Sequence, residues 1–148
     1  MKFFRSIFTV ALALAMFAAI TPQAALAATP NYNLNAQEQI VPFHISGQYT
    51  ATTAGVVKFA LPFPAQLVGV SATARASGGT SPTLTVDVKE AGTTVLSAPI
   101  SITAGTVAEG TITDTALADE AAITVDLTIG GTSPTWNDIT ILLVLVRK

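Results

Sequence analysis

The sequence predicts an all-β protein, an antiparallel two-sheet sandwich of jelly-roll type with eight or nine strands. Three segments, residues 68–76, 84–88 and 121–129, alternate apolar and polar side chains with a period of two. This period is typical of strands with one face toward a core and the other toward water. Short runs of Val, Ile and Thr are separated by Gly, Pro and Ala-Gly, and no segment shows a helical period.

Further strands are predicted from β-branched composition, at residues 40–46, 55–61, 93–103 and 106–114. Turn sequences separate them, at Gly47, Pro62-Phe63-Pro64, Ala91-Gly92 and Ala104-Gly105. So many strands favour two packed sheets over one open sheet, which would leave long edges exposed. The alternation predicts a core made of Val68, Val70, Ala72, Ala74, Ala76, Leu84, Val86, Val88, Ile123, Val125, Leu127 and Ile129.

The last apolar segment, residues 139–146, departs from the alternation because it is apolar on both faces. One face therefore needs a cover that a simple sandwich does not provide. A subunit interface is favoured, formed by Leu142, Val144 and Val146, because together they would make an apolar patch of the kind that marks contact sites. The alternatives are a strand shielded by another part of the chain, such as the N-terminal arm, or an ordinary doubly buried strand.

The N-terminus has the layout of a secretory signal peptide, residues 1–27, with cleavage predicted after Ala27. A positive start precedes an apolar run, residues 6–20, that is shorter than a membrane-spanning helix requires. Residues 28–39 are predicted to form an arm that is either mobile or ordered on another surface, and residues 40–148 to form a single domain. The protein is therefore expected to be secreted or displayed on the cell surface, without a membrane span after cleavage.

Composition narrows the classes of partner and chemistry. Cleavage would remove Lys2 and Arg5, leaving five basic against nine acidic residues and a formal net charge of −4. A sparse, weakly acidic surface argues against nucleic-acid binding, which needs clustered Lys and Arg. The chain has no cysteine, which excludes disulfides, thiolate metal sites and a lipoprotein anchor.

The hexapeptide GGTSPT occurs twice, at residues 78–83 and 130–135. The core positions upstream of the two copies have opposite phase, so duplication of a strand-loop-strand unit is disfavoured. Gly-Gly tolerates positive φ and Ser-Pro favours extended backbone, which predicts a wide hairpin loop at each copy. If residues 93–103 form one strand bent at Pro99, both loops, with Thr80 and Thr132, lie at the same end of the domain, and this arrangement is favoured. Two strands in residues 93–103 would instead place the loops at opposite ends.

No catalytic site, metal site or cofactor is predicted. His44 is the single histidine, and no serine lies in a Gly-x-Ser-x-Gly elbow, so a triad is disfavoured. Asp87 and Asp126 stand in similar strand contexts and could face each other as a carboxylate pair, although solubility is the commoner role of such residues. The acidic loop at residues 114–120 offers oxygens to calcium but lacks the spacing of a known calcium loop, so capping or turn roles are favoured.

Trp136, the only tryptophan, follows the second GGTSPT directly and precedes Asn137. There it could serve as a stacking platform for a sugar, with Thr80 and Thr132 as further contacts, or more commonly as a lid on the end of the core. A carbohydrate- or surface-binding module that contacts a glycan through Trp136 is therefore the alternative function.

Two stretches, LPFPAQLVGVSATARASGGTSPTLTVDV and DEAAITVDLTIGGTSPTWNDITILLVLVRK, resemble small β-sandwich virion proteins of tailed bacteriophages and their metagenomic relatives, over residues 56–148. The resemblance implies a structural component of an assembly with no catalytic residues. The signal peptide departs from that group, because phage particles assemble in the cytoplasm. The expected function is therefore a non-enzymatic, self-associating structural protein of a surface, extracellular or virion-like assembly.

Overall fold

The structure is a computed structural model that describes residues 38–148. The predicted signal peptide, and the predicted arm up to residue 37, lie outside the described residues. The described strands are β1 (Glu38–Tyr49), β2 (Thr53–Ala60), β3 (Ala65–Glu90), β4 (Thr93–Thr94), β5 (Ile100–Ser101), β6 (Ala108–Glu109), β7 (Ala116–Leu117) and β8 (Ala122–Arg147). All their pairings are antiparallel, which confirms the predicted all-β antiparallel class. No helix in this part of the chain is long and apolar enough to cross a membrane.

Two strands of 26 residues, β3 and β8, pair with each other along almost their whole length. The two GGTSPT copies meet at the middle of this ribbon, where Gly78 is opposite Thr135 and Thr83 is opposite Gly130. Side chains from both halves of the ribbon belong to one buried cluster. The ribbon must therefore fold over at the GGTSPT copies, so that its halves form two layers facing a common core.

Each layer is completed by an edge strand beside β8 and short strands beside β3. The first layer contains β1, β6 and β7 with residues 65–78 of β3 and 135–147 of β8. The second contains β2, β4 and β5 with residues 83–90 of β3 and 122–130 of β8. This order is that of a jelly roll. The rings of Phe43 and Phe59, 5.0 Å apart between centroids, join the β1 and β2 edges of the two layers.

The core follows the predicted alternation with one exception at Val68. The predicted core positions Val70, Ala72, Ala74, Leu84, Val86, Val88, Ile123, Val125 and Leu127 are buried, whereas Ala76 and Ile129 are half-buried. Val68 is 43% exposed, because the β3–β8 register shifts between Leu67 and Gly69. The extra residue of this bulge lets both Leu67 and Val70 face inward and leaves Val68 outside.

The predicted hairpin loops at GGTSPT are wrong, because both copies lie inside continuous strands. Each copy is the other's partner, and Thr80 and Thr132 are direct neighbours across the ladder. The copies bulge in the same way, with φ of +98° at Gly79 and +114° at Gly131, and +49° at Ser81 and +47° at Ser133. The predicted closeness of Thr80 and Thr132 is therefore found, but at the fold of a paired ribbon instead of on two free loops.

The segment between β3 and β8 is more broken than predicted. The tight turn at Ala91-Gly92, with positive φ at both residues, leads into β4 as expected. The predicted strand at residues 93–103 is reduced to the two-residue β4 and β5, because Pro99 lacks an N–H for the ladder. The predicted acidic loop at residues 114–120 contains β7, whose Leu117 is buried in the core. Strand β1 begins at Glu38, two residues before the predicted start.

Candidate interaction surfaces

The outward side of the first layer carries a continuous apolar patch. On β8 the residues facing the core, from Ile139 to Leu145, alternate with half-buried outward residues. Ile40 is opposite Val144 on one side, and Gly69 is opposite Val144 on the other. Ile40 is 64% exposed, although it is a large aliphatic side chain. We call this surface the apolar outer face, and it consists of Ile40, Pro42, Val68, Leu142, Val144 and Val146.

The three residues predicted to form a subunit interface, Leu142, Val144 and Val146, all lie on the apolar outer face. The structure adds Ile40, Pro42 and Val68 to them. Ile40 lay at the predicted boundary of the arm, and the exposure of Val68 depends on a bulge. Ile40 could have been predicted to face outward, because it lies two residues from Pro42 in the same strand. The outward position of Val68 could not, because nothing in the sequence indicates the bulge.

A shallow depression of about 320 Å³ opens on this face between β3 and the segment around β6. Gly69 forms part of its floor, and a Cβ there would lie 3.2 Å from Val144 Cγ2. The absence of a side chain at Gly69 therefore leaves space beside Val144. The lining residues are Val68, Gly69, Val70, Ser71, Glu109, Gly110, Ile112 and Val144.

Two aspartates of β8 hold the edge strands by the same arrangement, which we call a carboxylate bridge. Asp126 accepts the Gly55 N–H at 2.7 Å on one oxygen and the Lys89 ammonium at 2.7 Å on the other. Asp138 accepts the Gly47 N–H at 3.0 Å and the Arg75 Nε–H at 2.6 Å.

Both glycines lie where an edge strand loses register with β8, Gly47 in β1 and Gly55 in β2. Each bridge thus ties a bulge of an edge strand to a cation on β3.

The bridges shift the pKa values of their members. The Lys89 hydrogen bond, followed by the Gly55 amide, lowers the pKa of Asp126. The same contact with Asp126 raises the pKa of Lys89. The Gly47 amide and then Arg75 lower the pKa of Asp138. Each bridge is therefore held in its charged form.

The two aspartates that the sequence suggested as a carboxylate pair do face each other in the structure. Asp87 and Asp126 are direct cross-strand neighbours. Lys89 lies 3.8 Å from Asp87 and 2.7 Å from Asp126, and the Thr94 hydroxyl donates to Asp87 at 2.6 Å. With the Gly55 N–H bound to Asp126, these contacts join two carboxylates, an ammonium, a hydroxyl and an amide into one polar cluster. The cluster fixes β2 and β4 to the centre of the second layer.

The Asp126 bridge predicts how the stability of the domain changes in acid. Its carboxyl has a folded-state pKa below the ordinary 3.8, so its contribution to stability is complete above that value and is lost as pH falls through the folded-state pKa. We expect the Asp126→Asn variant to lose less of its free energy of unfolding than the wild type between pH 4 and pH 2. Urea unfolding at each pH measures this, with the exposed loop variant Asp119→Asn as control. Parallel curves for wild type and Asp126→Asn would contradict the assignment.

The residues proposed for ligand contact beside GGTSPT do not form one exposed site. Thr80 and Thr132 are exposed neighbours at the fold of the ribbon. Asn137 is half-buried, whereas Trp136 is 2% exposed and packs in the core. Its indole N–H is buried without a hydrogen-bond partner. The ring corresponds to the lid alternative and presents no open face on which a sugar could stack.

The remaining candidates of the sequence have local partners. His44 Nδ1 and the Thr140 hydroxyl are 3.0 Å apart on the outward side of the first layer. Asp114 accepts the Ala116 N–H at 3.1 Å as a turn cap. Within residues 38–148, no group of three or more His, Cys, Asp or Glu side chains is placed to hold a metal ion.

Comparisons with known proteins give a structural likeness but no family. No protein-family model matches the sequence, and a search of curated proteins found no match. Among solved structures, a chain of the T=1 particles derived from infectious bursal virus matches with 16% sequence identity and a TM-score of 0.42. The match covers 76% of this chain and 32% of that chain, so the chain spans about a third of its neighbour. At this score the likeness carries no inference about function.

Proposed function

We propose that this chain is a non-enzymatic, exported structural protein whose subunits associate through the apolar outer face. The observation that carries the proposal is the exposure of that face in a chain whose core is already complete. Ile139, Ile141, Leu143 and Leu145 fill the core from one side of β8, and Leu142, Val144 and Val146 remain on the other. Contiguous apolar patches on soluble proteins commonly mark contact sites.

The polar chemistry of the domain supports a structural role. Of the aspartates that were candidates for catalysis, Asp126 accepts hydrogen bonds from the Gly55 amide and the Lys89 ammonium, and Asp87 accepts one from the Thr94 hydroxyl. Both therefore contribute to the rigidity of the sandwich. The histidine pairs with a threonine hydroxyl. The signal-peptide layout of the first 27 residues supports export, and the expected location is the cell surface or an extracellular or virion-like assembly.

The mass of the mature chain in solution tests the proposal. We expect residues 28–148 to form a defined oligomer by light scattering, and Val144→Asp to weaken association by about 100-fold or more, because a buried carboxylate has no partner on this face. Aspartate is close to valine in size, so the sandwich is expected to stay folded.

The matched control is Thr128→Asp, which places the same charge on an exposed outward position of β8 in the second layer. It is expected to keep the wild-type mass. Circular dichroism of each variant verifies folding. A wild-type chain that stays monomeric at high concentration would overturn the proposed function, and so would a Val144→Asp variant that is folded and fully oligomeric.

A further inference from the structure

The outward side chains of β1 give the apolar outer face an acidic end and a basic end. All of them between the start of β1 and residue 44 are exposed, and in chain order they are Glu38, Ile40, Pro42 and His44. The apolar pair at the centre lies beside Val144 and Leu142 of β8. Along β1 the face therefore runs from an acid through two apolar residues to a base.

His44 determines the charge of the basic end. Arg75, also outward there, donates its Nε–H to Asp138 at 2.6 Å, so these two charges offset each other. The Nδ1 atom of His44 lies 3.0 Å from the Thr140 hydroxyl. When that hydroxyl donates to Nδ1, the proton of the neutral ring is on Nε2, which can donate to a carboxylate. The ring can therefore bind an acid in its neutral form as well as in its charged form.

We propose that two copies of this chain pack their apolar outer faces together about a two-fold axis, with antiparallel strands, so that Glu38 of each copy binds the partner's His44. The inference rests on the proposed function, because it specifies how the interface proposed there is arranged. The axis lies in the plane of the interface, perpendicular to β1, at the level of Val41.

The symmetry of the face supports this arrangement. A two-fold rotation exchanges positions that are equally far from the axis, and Glu38 and His44 are each three residues from Val41. The two apolar residues between them also exchange with each other, and so do Val144 and Leu142 on β8. Apolar side chains thus meet at the centre, and an acid meets a base at both ends. An apolar centre with a polar rim is the usual composition of an interface.

Charge disfavours the other alignment of two copies. With parallel strands, Glu38 would face the partner's Glu38, and His44 would face the partner's His44, so that like charges oppose association. The acid and the base cannot pair within one chain, because six residues of extended strand separate them by about 20 Å. Between two packed sheets the gap is only about 10 Å, which a glutamate and a histidine reaching toward each other can span.

Reversal of the charges tests the arrangement in residues 28–148. Glu38→Lys is expected to weaken association by about tenfold or more, because each lysine then meets the basic end of the partner. The double variant Glu38→Lys/His44→Glu recreates both opposite-charge pairs in reverse, so it is expected to return to within about threefold of the wild-type dissociation constant. With parallel strands it would place lysine against lysine and stay weak. Analytical ultracentrifugation over a range of concentrations measures the constants.

The matched control is Lys58→Glu, which reverses the charge of an exposed residue on the outward side of the second layer. It is expected to associate as tightly as the wild type, and circular dichroism verifies that each variant is folded. If folded Glu38→Lys associates as tightly as the wild type while Val144→Asp is monomeric, the inference is overturned and the proposed function stands.

Two further outcomes would contradict the two-fold arrangement alone. One is a double variant no tighter than Glu38→Lys, since the acid and the base would then not meet. The other is a wild type whose smallest oligomer has three copies, because a two-fold contact closes at two. A monomeric wild type would instead overturn the proposed function, and the inference with it.

Discussion

Replacement of Trp136 by alanine is expected to lower the free energy of unfolding by about 3–5 kcal/mol, the range for deleting a large buried aromatic ring. Trp136 is 2% exposed and lies between Tyr49 and Ser77 in the first layer. It is the largest of the fully buried side chains among the described residues. Its loss therefore leaves a cavity next to the point where the ribbon folds over. The total free energy of unfolding of a domain of this size is only about 5–15 kcal/mol. Urea unfolding followed by circular dichroism measures the loss.

The variant Trp136→Phe separates the effect of ring volume on stability from the effect of the buried indole N–H. It removes part of the ring together with an indole N–H that has no partner, and leaving such a group buried itself costs about 1–3 kcal/mol. The net loss is therefore expected to be below about 2 kcal/mol. Because Trp136 is the only tryptophan, wild-type fluorescence reports its environment directly, and we expect little quenching by acrylamide. Strong quenching with a small loss in Trp136→Ala would instead indicate an exposed ring, available to a ligand.

The sequence predicts the core well where the strands are regular. A period of two follows from the pleat alone, so nine of the twelve predicted core positions in the alternating strands are buried. Val68 is the instructive failure, because one extra residue between Leu67 and Gly69 reverses the face of everything before it. Nothing in the local sequence distinguishes a bulged strand from a regular one there.

The GGTSPT copies show the limit of local turn chemistry. Positive φ at Gly79 and Gly131 follows from the Gly-Gly pair, but the left-handed Ser81 and Ser133 were not expected. More importantly, propensity gives no information on which segment becomes the partner. Each copy pairs with the other, and this turns two expected loops into one ladder.

The residues of the candidate interface could be predicted only where they lie close together in the sequence. Leu142, Val144 and Val146 were evident because a strand apolar on both faces is conspicuous in one sequence segment. The depression is lined from separate strands and the segment between them, and the Gly47 contact with Asp138 spans 91 positions in sequence. Long-range contacts of this kind depend on the fold, which the sequence pattern defines only coarsely.

Substitution of Gly79 by alanine is expected to lower the free energy of unfolding by about 2–4 kcal/mol, because it combines two costs. Its φ of +98° is strained for any residue with a Cβ. A Cβ would also meet the backbone of the other GGTSPT copy, at the Ser133 carbonyl oxygen and at 2.8 Å from the Thr132 oxygen. Gly131→Ala is expected to behave similarly, since its Cβ would lie 2.7 Å from the Ser81 oxygen.

The variant Gly47→Ala is a close control for the first cost alone. Gly47 has a φ of +97°, almost equal to that of Gly79, but a Cβ there would meet nothing within 4 Å. It is therefore expected to lose only about 1 kcal/mol, the cost of a left-handed backbone in open space. The difference between Gly79→Ala and Gly47→Ala, measured by urea unfolding, isolates the backbone contact between the two hexapeptides. Equal losses would mean that the copies can separate at little cost, and the paired fold of the ribbon would then not explain why both strands carry the same six residues.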